Sequence, residues 1–154
     1  MYKFITATLL IILSGCGFKV INLSEIENYN IVDVNVIGEK RINYIIKNNL
    51  IRIPKKDQDN KIYVNLKTIK NKNIKEKNIK NEITKYEISI IAEVEINKII
   101  DNKIFNFAVL KNGSYNVADQ NSITRNNEKQ LILLLSNEIA DEIKDKINSK
   151  LNDF

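Results

Sequence analysis

Asn30-Ile31-Val32-Asp33-Val34-Asn35-Val36-Ile37 alternates apolar and polar positions with the two-residue period of a half-buried strand, and Gly38 ends the alternation. From Glu39 the period changes. Ile42, Ile45, Ile46 and Leu50 fall on one face of a short helix. Pro54 disfavours helix at the residue before it, so this helix should stop near Ile51. The charged stretch from Lys55 to Lys61 reads as a loop. A second strand begins at Ile62, with Ile62, Val64 and Leu66 on one face and Tyr63 on the other. Residues 67–81, rich in Lys and Asn, read as the end of that strand and a hairpin tip. A third strand covers about residues 84–99. Tyr86, Ile88, Ile90, Ala92, Val94 and Ile96 share one face, and Glu87, Ser89, Glu93 and Glu95 share the other. Asp101-Asn102 is a hairpin turn signal. Phe105, Phe107 and Val109 alternate along a fourth strand, with a second turn signal, Asn112-Gly113, near its end.

The last segment predicts a long helix beginning between Asn121 and Glu128. Leu131, Leu135, Ile139, Ile143, Ile147 and Leu151 recur every fourth residue, so the stripe drifts about 40° per step against the 3.6-residue turn. A drifting stripe suits packing along a twisted sheet. Leu133 falls off it and is left for the first helix or a partner. Four amphipathic strands with one buried face and two helices predict a two-layer α+β domain, in the order β-α-β-β-β-α, with both helices on one face of the sheet. Residues 29–154 form this single domain, with no internal repeat.

The start of the chain reads differently. Lys3 precedes an apolar run over residues 4–13, broken only by Thr6 and Thr8, and Leu13-Ser14-Gly15-Cys16 follows. The run is too short for a bilayer core, which needs about twenty helical residues. A basic start, a short apolar run and small residues describe a secretory leader. Its end resembles a bacterial lipobox. Residues 1–15 are then a lipoprotein signal peptide, Cys16 carries a diacylglycerol and an N-acyl lipid, and residues 16–28 are a polar tether. Cys16 is the one cysteine of the chain, so no intramolecular disulfide is available to it. Two or three acyl chains make stable anchoring, because each buried CH₂ contributes about 0.8 kcal/mol.

Composition narrows the function classes. Without residues 1–15 the chain has 139 residues, and 24 basic residues less Lys3 leave 23 against 19 acidic ones, a net +4. That excess sits in a sequence loaded with Ile, Asn and Lys, and it is weak support for an anionic partner. The leader argues against nucleic acid. The chain contains no histidine, which removes the commonest general acid/base and His-containing triads and zinc sites. Glu93 and Glu95 are an i, i+2 carboxylate pair, but with Glu87 they read as the solvated face of a strand. Ser114, Ser122 and Ser136 have no histidine to activate them, and neither a G-x-S-x-G elbow nor a Gly-rich phosphate loop occurs. No enzyme, catalytic residue, metal site or dissociable cofactor is expected. The run Lys67, Lys70, Lys72, Lys75, Lys77 and Lys80 could meet phosphates as point charges. A solvated lysine-rich loop in a lysine-rich chain is the better explanation.

Four further features carry a resemblance. They are Gly15-Cys16-Gly17-Phe18, the strand ending at Gly38 followed by Arg41 and a helix through Asn48-Asn49-Leu50, Ser114-Tyr115-Asn116 after the last strand, and a closing helix with Glu138-Ile139-Ala140-Asp141-Glu142-Ile143. In this succession the chain resembles the lipopolysaccharide-assembly lipoproteins (LptE), in particular their alphaproteobacterial branch. It departs from that branch at Lys19-Val20-Ile21 and at Arg125-Asn126-Asn127-Glu128. The resemblance implies an outer-membrane, periplasm-facing lipoprotein that plugs and helps assemble the β-barrel lipopolysaccharide translocon (an LptD-like partner) and takes part in inserting lipopolysaccharide. Gly17 after the lipidated Cys is compatible with export to the outer membrane. The alternative is a free-standing periplasmic lipoprotein that binds a small ligand or envelope polymer.

Overall fold

The computed structural model describes residues 29–52 and 61–152. The leader, Cys16, the tether up to residue 28, Pro54 and most of the loop expected at Lys55 to Lys61 lie outside them. Strand β1 (Asn30–Gly38) leads into helix α1 (Lys40–Ile51), and strands β2 (Lys61–Lys77), β3 (Ile83–Lys98) and β4 (Ile104–Asn116) precede helix α2 (Asn121–Asn152). The element order is the expected β-α-β-β-β-α. The sheet order is β1-β2-β3-β4, with β1 parallel to β2 and the other pairs antiparallel. A parallel neighbour requires a crossover, and α1 supplies it.

Gly38 turns the chain from β1 into α1 with φ of +106°, a conformation that L side chains rarely adopt. Glu39 caps α1 without a side-chain bond. The cap comes from β2 instead. The Thr68 hydroxyl accepts the Glu39 N–H at 3.2 Å and donates to Asn43 Oδ1 at 2.7 Å. Asn43 and Thr68 are buried, so the bond between them satisfies two polar groups that would otherwise be costly to desolvate. Ile42, Ile46 and Leu50 enter the core as the periodicity predicts, and Ile45 is half-buried.

Both helices pack on the same face of the sheet and touch each other, with Asn49 Nδ2 donating to Asn137 Oδ1 at 2.8 Å. Between the layers lie Ile62, Val64 and Leu66 of β2, Ile88 to Ile96 at every second position of β3, and Val109 and Tyr115 of β4. The stripe on α2 crosses its buried face from one flank to the other. Leu135, Ile139, Ile143 and Ile147 are buried, while Leu131 and Leu151 at the two ends are half-buried. Ile132, Ser136 and Ala140 fill one flank early in the helix. Glu142 and Lys146, which return to within about 60° of Leu131's direction, occupy the other flank later. They bond β4: Glu142 pairs with Lys111 at 2.7 Å, and Lys146 donates to the Ala108 carbonyl at 3.0 Å. Leu133 is 39% exposed.

Four details differ from the pattern-based expectation. A bulge between Ile31 and Asp33 breaks the two-residue period of β1, so Ile31 and Val34 are buried while Val32 and Val36 are exposed. Strand β2 continues through Lys77, and only residues 78–82 make the hairpin tip. There the Asn78 side chain accepts the N–H groups of Lys80 and Glu82, and Asn81 adopts φ of 63°. Pairing with β3 holds the Lys/Asn-rich half of β2 extended, although its exposed side chains show no burial period. Asn112-Gly113 is not a turn. It lies within β4, where a Cβ on Gly113 would stand 2.7 Å from Leu131 Cδ1, so the glycine serves the close approach of α2. Ser114-Tyr115-Asn116 accordingly belongs to β4 rather than following it. The Asp101-Asn102 turn stands, with Asn102 at φ of 51°.

Candidate functional site

The six lysines of residues 67–80 do not form one basic patch. Alternation along β2 sends Lys70 and Lys72 to the helix-covered side, and Lys67 and Lys75 to the opposite one. Lys67 pairs with Glu93 at 2.9 Å and Lys75 with Glu87 at 2.9 Å, across the β2–β3 ladder. Lys77 donates to Asn81 at 3.0 Å. Among the described residues Lys70 and Lys80 hold no ion pair.

Lys72 closes a clasp between the long hairpin and the start of α2. Its ammonium meets Glu128 at 2.7 Å and stands 4.3 Å from the Tyr86 ring centroid and 5.4 Å from that of Tyr115. The two rings stack at 5.7 Å, and the Tyr115 hydroxyl donates to the same Glu128 oxygen at 2.9 Å. Partial burial works against the charged form of both partners, but their mutual bonds outweigh it. The Lys72 pKa is raised and that of Glu128 is lowered. Because the folded Glu128 pKa lies below its ordinary 4.5, its contribution is complete above that value and is lost as pH falls through the lowered one. For Lys72 the contribution holds below 10.5 and is lost as pH rises through the raised value. The exposed ion pair and the cation–π contacts together stabilise by about 1 kcal/mol. Denaturation midpoints should therefore fall between pH 7 and pH 3 by more in the wild type than in Glu128→Gln. An equal fall would contradict the clasp.

The opposite face of the sheet carries no helix, and the register lays its side chains in rows. Asn35, Asn65, Glu95 and Asn106 stand opposite one another across all four strands. Asn35 Nδ2 donates to Asn65 Oδ1 at 3.1 Å, and Asn65 Nδ2 donates to Glu95 Oε1 at 2.8 Å. The next row is Ile37, Lys67, Glu93 and Ala108, and beyond it lie Ile69, Ile91 and Leu110. The first two of these rows line a shallow concavity of about 570 Å³, where the strands also bring Leu66, Val94 and Phe107 into the lining although their side chains serve the core. Glu93 and Glu95, weighed above as a catalytic pair, are thus a salt-bridge partner and an amide acceptor. Among the described residues no group of three or more His, Cys, Asp or Glu could hold a metal ion. No described helix is long and apolar enough to cross a membrane.

Side chains occupy individual backbone groups on both sheet edges. On β1 the Val34 N–H donates to the Asp33 carboxylate at 2.7 Å and its carbonyl accepts Lys47 at 2.6 Å. On β4, Lys146 takes the Ala108 carbonyl and Asn127 the Asn116 carbonyl at 3.1 Å. Capping edge groups with side chains is a known guard against unwanted pairing.

The row of Asn35, Asn65, Glu95 and Asn106 escapes a reading of the sequence, because its four members meet only once strand order and register are known. Its one local signal is that each sits at a polar position of an alternating strand.

No family model matches the sequence, and neither does any curated protein. Solved structures do match. A lipoprotein from Caulobacter crescentus is 14% identical, with 84% of this chain and 93% of that one covered at a TM-score of 0.54. Rare lipoprotein B from Shewanella oneidensis is 13% identical, with 80% and 95% covered at 0.51. Lipoprotein B from Nitrosomonas europaea is 8% identical, with 82% and 88% covered at 0.60. The chain is similar to these bacterial lipoproteins in fold.

Proposed function

We propose that this chain is an outer-membrane lipoprotein, anchored through Cys16 and facing the periplasm, that plugs and helps assemble a β-barrel lipopolysaccharide translocon. It takes part there in lipopolysaccharide insertion at the cell surface. The observation that carries the reading is a conjunction: a lipobox-like leader stands before a domain that overlays on bacterial lipoproteins, rare lipoprotein B among them, over four-fifths of the chain. Physical features support it. A plug inside a water-filled barrel needs a polar outer surface, and the uncovered sheet face presents amide, carboxylate and ammonium groups on its Asn35–Asn65–Glu95–Asn106 and Ile37–Lys67–Glu93–Ala108 rows. It also needs edges that do not pair with the strands around it, and Lys47 and Lys146 occupy carbonyls on both. Of the six lysines considered for phosphate contact, Lys67, Lys72 and Lys75 are held by carboxylates, and among the described residues Lys70, Lys77 and Lys80 hold no ion pair, although Lys70 lies close enough to act on the Glu128 charge.

Depletion of the chain in its source organism tests this reading. The expected result is a fall in the level of the folded barrel and in surface lipopolysaccharide, rescued by the wild type and not by Cys16→Ala. Unchanged barrel and lipopolysaccharide levels would sink it and favour a free-standing binding lipoprotein.

A further inference from the structure

We infer that the concavity on the uncovered face of the sheet is a binding site for a neutral oligosaccharide. This does not depend on the translocon reading, because it rests on the sheet face alone. The walls have two characters. On one side the row Asn35–Asn65–Glu95–Asn106 offers planar amides and a carboxylate, with donors and acceptors alternating at fixed spacing. On the other side Ile37 and Ala108 give aliphatic surface at the two ends of a row whose middle is the Lys67–Glu93 pair, and Ile69, Ile91 and Leu110 form the next row, beyond the lining. A hexose ring has the same two characters, with hydroxyls around its edge and C–H groups on its faces. The volume of about 570 Å³ lies within the range of small-ligand clefts.

Other ligand classes fit less well, each for a reason in the geometry. A phosphate needs free cations. Lys67, the cation in the lining, is already bonded to Glu93 at 2.9 Å, and Glu95 adds a carboxylate whose described partner is an amide. An acyl chain would desolvate the amide row without returning its hydrogen bonds, which is unfavourable. A metal ion would find no cluster of three ligands among the described residues. A neutral polyol replaces the water on these amides with hydroxyls, leaves the Lys67–Glu93 pair intact, and lays its C–H faces on Ile37. The Asn65 amide bonds both neighbours and holds the row at fixed spacing, so it is the residue on which binding should depend most.

The test is a titration of the isotope-labelled full-length protein in a sugar-free detergent, followed by amide and side-chain NH₂ resonances. Maltoheptaose and chitotetraose are the probes, and inorganic phosphate is the charged comparison. With at least one sugar, the expected result is saturable shifts confined to the lining of the concavity, the Asn35, Asn65 and Asn106 side-chain NH₂ groups and the Ile37 backbone amide among them. Asn65→Ala should weaken that binding about tenfold, while Asn71→Ala, on the same face but outside the concavity, should leave it unchanged. Both positions are exposed, so neither variant should unfold the chain. Absence of saturable shifts with both sugars overturns the proposal. So do shifts that Asn65→Ala does not change, or saturation by phosphate alone.

Discussion

Gly38→Ala should destabilise the protein by about 3 kcal/mol or more, lowering the thermal midpoint by roughly 10 °C. Two independent effects add at this position. The backbone sits at φ of +106°, where an alanine carries conformational strain on the order of 1–3 kcal/mol. An added Cβ would also overlap the Thr68 carbonyl oxygen, and backbone on a central strand cannot swing aside as a flexible side chain could. Any shift of Gly38 away from β2 further loosens the Glu39 N–H···Thr68 bond and the buried Thr68–Asn43 bond that stand in for a helix cap. Gly113→Ala is the informative contrast. Its added Cβ meets the Leu131 methyl, a half-buried side chain that can change rotamer, so the loss should be about 1 kcal/mol. Urea denaturation of both variants, with unchanged m-values, measures the difference. Equal losses would contradict the claim that a close backbone approach governs the first crossover.

Ile139→Ala should cost about 2–4 kcal/mol. Ile139 lies fully buried near the middle of α2, where the apolar stripe crosses the centre of the helix's buried face. Removing three side-chain carbons loses their transfer free energy and leaves a cavity between two layers that twist together and cannot collapse freely. Alanine regains a few tenths of a kcal/mol through its higher helix propensity, which does not change the sign. Ile139→Val should cost only about 1 kcal/mol. Leu134→Ala, at a residue 54% exposed on the same helix, should cost less than about 0.5 kcal/mol. A large loss at Leu134, or a small one at Ile139, would mean that the stripe is not the face that meets the sheet.

Both predictions show where the sequence was legible. The two-residue period of β3 and the four-residue recurrence of α2 disclosed the buried faces, because burial is what sets those periods, whereas the bulge in β1 cannot be read from its alternation. From them followed the two layers and the single-sided helical cover. Features made by meetings between distant segments stayed hidden. Nothing in Asn43 or Thr68 alone announces a shared buried bond, and both look like solvated polar residues in the linear pattern. In the outer half of β2 the side chains are mostly exposed and the alternation is blurred, so strand and hairpin tip do not separate in the sequence, yet the β3 ladder holds it extended. Asn112-Gly113 misled for the opposite reason: a composition that elsewhere makes turns here makes room for Leu131. The six lysines looked like one basic run in sequence, but strand alternation divides them between two faces and carboxylates neutralise three.

The central claim is a docked lipoprotein, and the most direct measurement is affinity purification of the tagged, lipidated chain from gently solubilised membranes, with Cys16→Ala in parallel. The account predicts a large β-barrel protein recovered with the wild type in equal amount. Recovery of the lipoprotein alone would contradict it.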